Sequence, residues 1–320
     1  MLGSASAACS AFSSADTAAD PGPDAGSSDA RVDDAETPTD AKSDASQDAS
    51  PVCDPRGAFG PPTLLAGVNT SFGEYGARLT RDELTVYFSS ARPAGVDYNI
   101  YVATRASLAS AFGPPTLVTA VSSAAGDGYP SLSPDELELF LSRPTTTVPT
   151  YDVYVARRAS AAVNFGAPTV VAGVNDSMTA DLQPFVAANG DLYFESARRQ
   201  LTGNDVFRAP RMPDGSFGPP AAIEEVATTA VDGTPVLSFD MLTLYWGSQR
   251  TDNGGDLSGD IWVAHRASLD VPFSDITRVA ELSMAGADDS PTWLSADNCR
   301  LYLMSTKGSK LQIYVATRKP

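Results

Sequence analysis

Five acidic side chains recur at matching positions along the chain and are the clearest candidates for chemistry. Four of them stand three residues before a proline, and a glutamate takes the same place nearest the N-terminus: Glu74, Asp127, Asp181, Asp232 and Asp288. Crowded carboxylates raise one another's pKa or bind a cation, and two at a suitable spacing can serve as the acid and base of a glycosidase. Because the five positions are equivalent, the favoured interpretation is that each acid caps the turn before a strand.

Two charges break the pattern of the sequence around them. Glu195 interrupts an apolar run, and Arg78 stands where the equivalent residues are Ser131, Phe185, Val236 and Trp293. An isolated charge in a buried strand is costly unless it is paired. Both residues are therefore candidate ligand contacts in a channel or at a blade edge, although structural pairing is the favoured alternative.

A loop between positions 252 and 260 alternates acids with glycines, a composition that suits Ca²⁺. Its candidate ligands are Asp252, Asp256 and Asp260. The spacing matches no known calcium loop, so an ordinary solvated turn is favoured. No other cofactor is expected.

Several catalytic chemistries are disfavoured by what the sequence contains. A Ser-His-Asp relay would need the single histidine, His265, but the sequence has no Gly-x-Ser-x-Gly motif to supply the nucleophilic serine. One histidine and three cysteines do not suit a His-rich zinc site, and no phosphate-binding glycine motif is present. We therefore assign no catalytic residue and expect a protein that is not an enzyme.

These residues are carried by a repeat of roughly 53 residues. A Phe-Gly-x-Pro motif opens at Phe59, Phe112, Phe165 and Phe217, with a degenerate copy at Phe273. Each copy also contains short runs of β-branched and aromatic residues bounded by turn residues, which predict strands. Four strands per copy, repeated radially, predict a five-bladed β-propeller over residues 53–320.

The ends of the repeat region predict how the ring closes. The region opens with a lone fourth strand from Phe59 to Ala66 and ends with a third strand from Gln312 to Arg318. Pairing the two completes the last blade and leaves no open edge strand. Cys53 and Cys299 would then lie within reach of each other, so we predict a disulfide that locks the closure and indicates an oxidising compartment.

The repeat resembles the WD40-like repeat of TolB-type propellers. The resemblance rests on Leu132-Ser133-Pro134-Asp135 followed by Phe140, the pair Ser142-Arg143, and Asp152-Val153-Tyr154. It covers all five units but departs in two ways, because the family's turn glycine is found only at Gly190 and its best-known members have six blades. The resemblance implies a periplasmic interaction platform and specifies no ligand.

The N-terminal region differs in composition from the repeat region. Residues 1–9 resemble a truncated signal segment that ends at Cys9, a candidate lipidation site, and residues 10–52 are almost wholly Ala, Ser, Asp, Thr, Pro and Gly. Such a segment is expected to be a disordered acidic spacer. The net charge of −17 disfavours nucleic-acid binding, and a membrane association is expected only through a lipid anchor.

Together these features predict an exported, lipid-anchored envelope or cell-surface protein. We expect a monomeric, non-enzymatic binding module whose partner is an envelope protein or a glycan held at the channel face. The alternative is a five-bladed glycan-active hydrolase that uses channel carboxylates.

Overall fold

The propeller prediction is confirmed. A computed structural model describes residues 53–92, 97–145, 150–199, 203–251, 258–308 and 310–320, in which five four-stranded antiparallel sheets form a ring. The innermost strand of each sheet contacts the innermost strands of both neighbouring sheets, so the ring is closed around a central channel. Among the described residues, no helix has the length and apolar character needed to cross a membrane.

Each blade runs from an inner strand at the channel to a short outer strand. Strand β1 (Thr63–Leu64) precedes the first blade. Blade 1 contains β2 (Glu74–Leu79), β3 (Thr85–Ser90), β4 (Asn99–Thr104) and β5 (Thr116–Leu117). Blade 2 contains β6 (Gly128–Leu132), β7 (Glu138–Pro144), β8 (Tyr151–Arg157) and β9 (Thr169–Val170). Blade 3 contains β10 (Asp181–Val186), β11 (Leu192–Ser196), β12 (Asp205–Ala209) and β13 (Ala221–Ala222).

The last two blades follow the same order. Blade 4 contains β14 (Asp232–Leu237), β15 (Thr243–Ser248), β16 (Asp260–His265) and β17 (Ser274–Arg278). Blade 5 contains β18 (Asp289–Leu294), β19 (Arg300–Ser305) and β20 (Gln312–Thr317), and β1 is its outer strand. The second strands are buried over most of their length because each blade packs between two others, which is why each contains three consecutive apolar or aromatic residues instead of a strict alternation.

The inner strands of blades 1 to 4 share a bulge two residues after the acidic position. Gly76, Tyr129, Gln183 and Thr234 occupy it, and all four have positive φ angles. A non-glycine residue with positive φ is uncommon, and three of these four are not glycine. The bulge shifts the strand register in each blade. In blade 5 the same place is held by Pro291, whose ring fixes a negative φ.

The Phe-Gly-x-Pro motif marks a cation–π contact that recurs in every blade. The phenylalanine lies under the guanidinium of an arginine at the end of the third strand. The pairs, with the distance from Cζ to the ring centroid, are Arg105–Phe112 at 4.6 Å, Arg158–Phe165 at 4.4 Å, Arg211–Phe217 at 4.8 Å, Arg266–Phe273 at 4.5 Å and Arg318–Phe59 at 3.9 Å. Two of these arginines also donate to a tyrosine of the preceding blade, as Arg318 Nη2 does to Tyr245 Oη at 2.6 Å. The motif therefore fixes the start of the fourth strand against the end of the third, and Arg105 and Arg318 also tie adjacent blades together.

Ring closure by the N-terminal strand follows the predicted pairing. Thr63 and Leu64 of β1 pair with Val315 and Tyr314 of β20. The predicted disulfide between Cys53 and Cys299 is present, with 5.7 Å between the two Cα atoms. Residues 1–52, including Cys9 and the predicted spacer, lie outside the described residues, as do Asp252 and Asp256 of the candidate calcium loop.

Candidate binding site at the channel mouth

Four of the five predicted acids do not line an open channel mouth, because each is buried in a structural ion pair. Their side chains are completely shielded from solvent. The pairs are Arg92–Glu74 at 3.1 Å, Arg143–Asp127 at 2.6 Å, Arg198–Asp181 at 2.6 Å and Arg250–Asp232 at 2.7 Å. Each carboxylate also accepts a backbone N–H of the loop before its strand, as Asp232 does from Thr228 at 2.9 Å. These acids hold the loops that enter the inner strands.

In blade 5 the equivalent acid is Asp289, and the expectation for Asp288 was wrong by one residue. Asp289 is fully buried, and it lies opposite Ser305 in the strand register, just as Asp232 lies opposite Ser248 in blade 4. Asp288 is exposed, and its carboxylate accepts the Gly259 N–H at 2.8 Å. The sequence prediction located each acid by its distance of three residues before the proline of the inner strand. In blade 5 that proline stands two residues after the acid instead of three, within the bulge.

Asp289 lacks the arginine that neutralises its counterparts. The position of Arg92, Arg198 and Arg250 is occupied in blade 5 by Lys307, whose side chain is exposed. The Oδ1 atom of Asp289 has no hydrogen-bond partner among the described residues. Burial raises the pKa of Asp289 to about 6, and the nearby charges of Asp260 and Asp288 add to that shift.

Glu195 belongs to the contact between blades 3 and 4. It pairs with Leu182 in β10, at the register position that Ser89 holds in blade 1. Ser89 accepts the backbone N–H of Tyr129 in the next blade at 3.0 Å. Glu195 is only 4 % exposed, and its Oε1 atom accepts a hydrogen bond from Asn204 Nδ2 at 2.5 Å. Burial raises the pKa of Glu195 to about 7.

The close approach of Glu195 to the next blade depends on a glycine. A Cβ atom at Gly233 would lie 1.8 Å from Glu195 Oε2 and 3.2 Å from Gln183 Oε1. Only a residue without a side chain fits there, because van der Waals contact needs about 3.5 Å. The repeat-breaking glutamate is therefore accommodated by a glycine in the neighbouring blade, at a position that Gly128 holds in blade 2.

A cluster of tyrosines lies at the mouth where the inner strands begin, and the sequence reasoning missed it. The ring centroid of Tyr75 is 4.7 Å from that of Tyr98 and 4.6 Å from that of Tyr129. The nearby Tyr151 is 45 % exposed, and its hydroxyl is close enough to raise the pKa of Tyr75 and Tyr129, although burial is the main cause of both shifts. We call these four residues the tyrosine mouth.

The tyrosine mouth continues into the polar groups of blade 3. Asn204 stands one residue before Asp205, just as Tyr98 and Tyr151 stand one residue before the corresponding Asn99 and Asp152 of blades 1 and 2. Asn204 binds Glu195, whose charge also raises the pKa of Tyr129. The residue at this repeat position in blades 1 to 3 was thus a signal in the sequence that could have indicated this surface. Tyr75 and Tyr129 occupy different repeat positions, so no repeat comparison would have grouped them.

The remaining candidates lie away from this mouth or have partners. Asp260 of the candidate calcium loop pairs with Arg278 at 3.0 Å. His265 lies at the outer rim, where it lines a cavity of about 850 Å³ together with Arg56 and Arg318. Among the described residues, no group of three or more His, Cys, Asp or Glu side chains is arranged to hold a metal ion.

The opposite end of the channel is apolar. A cavity of about 100 Å³ lies where the inner strands end, and its lining includes Leu79, Leu132, Val186 and Leu237 together with Phe239 and Trp293. Arg81 lies over the ring of Phe239 at 5.1 Å. The two mouths of the channel therefore differ in chemistry, because tyrosines, an amide and Glu195 gather at the first, whereas aliphatic side chains make up much of the lining of the second.

Comparison with known proteins supports the fold. No protein-family model matches the chain, and no match was found among curated proteins. Solved structures of similar fold include TolB from Acinetobacter baumannii, at 14 % identity and a TM-score of 0.50, with 79 % of this chain and 57 % of that chain covered. They also include a GH62 hydrolase in complex with xylotriose, at 11 % identity and a TM-score of 0.53, with 82 % and 98 % covered.

A third similar structure is the GH62 α-L-arabinofuranosidase catalytic domain of Coprinopsis cinerea. It shares 11 % identity at a TM-score of 0.51, and the match covers 82 % of this chain and 97 % of that domain. The similar structures thus include TolB and glycoside hydrolases. At these identities the similarity establishes the β-propeller fold alone.

Proposed function

We propose that this protein is a non-enzymatic binding module of the cell envelope or cell surface, which holds a protein or glycan ligand at the tyrosine mouth. The observation that carries the proposal is the contrast between two sets of side chains. Four predicted acids are shielded and paired with arginines, whereas Tyr151 and Tyr98 are at least partly open to solvent. Tyrosine suits recognition because it offers an apolar face together with a polar tip.

Export to an oxidising compartment is part of this proposal. The Cys53–Cys299 disulfide supports it, since such bonds persist mainly outside the cytosol. Lipid attachment at Cys9, with residues 10–52 as a spacer, completes the proposed arrangement. The proposed module acts as a monomer and needs no cofactor.

The test is capture of a ligand by the immobilised full chain from detergent-solubilised envelope and from cell-wall glycan fragments. The double variant Tyr98→Ala/Tyr151→Ala should lower recovery at least tenfold, because each aromatic contact contributes about 1 kcal/mol or more. The matched control is Leu108→Ala, which removes an exposed apolar side chain elsewhere and should bind like the wild type. Equal recovery by all three proteins, or by none, would exclude the tyrosine mouth as the binding site.

The hydrolase alternative is favoured by one observation, the pKa of about 7 at Glu195. A general acid needs a pKa near the working pH, but glycoside hydrolysis also needs a second carboxylate. The assay is release of reducing sugar from arabinoxylan and peptidoglycan fragments. Activity that is present in the wild type and lost in Glu195→Gln would replace the binding-module proposal with the enzyme.

A further inference from the structure

The inside of the channel holds a buried cation that no carboxylate neutralises. Arg78 is 3 % exposed and stands on β2, at a register position where the other blades carry uncharged residues. Burial lowers its pKa to about 9, so the guanidinium stays charged at neutral pH. Burial is the only influence on that pKa, and no Asp or Glu among the described residues pairs with it. An unpaired buried charge costs several kcal/mol.

The side chain of Arg78 crosses the channel. Its Nη2 atom makes a long 3.4 Å hydrogen bond to the carbonyl oxygen of Pro184, and its Cζ atom lies 5.1 Å from the centroid of the Phe185 ring. Both partners are on β10 in blade 3, which is not a neighbour of blade 1. A contact between these two blades must run through the central channel.

Two buried donors beside Phe185 have no acceptor among the described residues. The Nη1 atom of Arg78 and the Nε1 atom of Trp293 are buried, and neither has a hydrogen-bond partner among the described residues. Both side chains contact the same ring, since the Trp293 ring centroid lies 6.4 Å from that of Phe185. The five residues at this level are Arg78, Ser131, Phe185, Val236 and Trp293. None of them carries an anionic group.

We infer that the channel contains a binding site for a small, singly charged anion, held by the Arg78 guanidinium and the Trp293 indole N–H. Such an anion supplies the missing charge and accepts the hydrogen bonds that both donors lack. The adjoining cavity of about 100 Å³ also reaches Phe185 and Trp293. That space suits a halide ion or a carboxylate group, since a water molecule takes about 30 Å³ in the liquid.

This site is separate from the tyrosine mouth. Arg78 follows Tyr75 by three residues along β2, which places it roughly 10 Å deeper in the channel at the rise of an extended strand. The anion site therefore does not depend on what the tyrosine mouth binds. Its test uses simple salts, so its failure and the failure of the proposed function are distinguishable.

The first experiment measures thermal unfolding of the full chain at fixed ionic strength, with sodium gluconate replaced stepwise by chloride or acetate. At anion concentrations above the dissociation constant, each tenfold increase in the concentration of the anion that binds should raise the Tm of the wild type by roughly 3–5 °C. Arg78→Met should show no such response. The matched control Arg56→Met removes an exposed arginine at the outer rim, away from the channel, and should respond like the wild type.

A second measurement locates the ion directly. Crystals of the wild type grown in bromide should show an anomalous peak within hydrogen-bond distance of Arg78 Nη1 and Trp293 Nε1. Arg78→Lys keeps a cation in the channel and serves if Arg78→Met does not fold; it should bind the ion more weakly. A response to chloride alone assigns the site to halide ions, and a response to both salts extends it to carboxylates. Equal salt responses in all variants, or no bromide at Arg78, would overturn the inference.

Discussion

At the scale of single residues, the charges that depart from the repeat have different environments. Glu195 takes the place of a serine at a blade interface and has Asn204 as its partner. Arg78 has no charged partner among the described residues and spans the channel. Both side chains are buried, so both pKa values shift toward the neutral form, upward for the acid and downward for the base.

Replacing Glu195 with glutamine should stabilise the protein in a pH-dependent way. The folded-state pKa of about 7 lies above the usual 4.5, so the folded protein holds this proton more tightly, and stability is lost as pH rises from 4.5 through 7. Glu195→Gln removes that loss. We expect a gain of up to about 3 kcal/mol in the free energy of unfolding at pH 8 and little change at pH 4.5.

Urea unfolding at the two pH values checks this expectation. The exposed Glu225→Gln is the control and should change stability by less than about 0.5 kcal/mol at either pH. A gain at Glu195 that is equal at pH 4.5 and pH 8 would contradict the pKa argument.

At the scale of elements, blades 1 to 4 are each held by a buried acid whose carboxylate joins an arginine to the loop before the inner strand. In blades 1 to 4 the guanidinium also lies over an aromatic ring of the third strand, as Arg250 does over Trp262 at 5.0 Å. Blade 2 reaches the same arrangement from a different position, because Arg143 corresponds in register to Ser90 of blade 1 and so lies two residues before the position of Arg92. Blade 5 lacks the arginine.

Lys307→Arg should therefore supply the ion pair that blade 5 lacks. The pKa of Asp289 is raised to about 6, so stability declines as pH rises from 3.8 through 6. A guanidinium at position 307 should lower that pKa, remove the decline and add about 1 kcal/mol at pH 8. The matched reverse change, Arg250→Lys, should create the same deficiency at Asp232 and lower stability at pH 8.

Chemical unfolding at pH 4 and pH 8 distinguishes the outcomes for this pair of variants. The prediction requires opposite signs for the two substitutions at pH 8 and a smaller effect of Lys307→Arg at pH 4, where the raised pKa of Asp289 keeps its carboxyl group largely neutral. If both substitutions changed the free energy of unfolding in the same direction, the residue at the arginine position would not determine how the buried carboxylate affects stability.

At the scale of the whole molecule, stability depends on joining two distant parts of the chain. The segment that starts at Cys53 contributes β1, the Phe59 ring beneath Arg318, and the disulfide to Cys299. These contacts give blade 5 its fourth strand, so β20 is not left as an exposed edge strand.

Cys53→Ser should lower the free energy of unfolding by up to about 5 kcal/mol, because the bond closes a loop with a sequence separation of 246 residues. Urea unfolding with and without reductant measures the change. The reduced wild type should match Cys53→Ser, and Cys9→Ser should behave like the oxidised wild type. If Cys53→Ser and the oxidised wild type unfold at the same urea concentration, the disulfide does not stabilise the closure.

The sequence by itself determined the five-fold repeat, the four-stranded blades, the exchange of the N-terminal strand and the pairing of Cys53 with Cys299. These features follow from local patterns and covalent reach, both of which are read along a single chain. Only the tertiary structure decided that the acids are ion-paired, that Asp289 rather than Asp288 is the fifth, and that four tyrosines meet at one mouth. Bulges shift the register by one residue, and contacts across the channel join blades that are distant in sequence, so neither leaves a periodic signal.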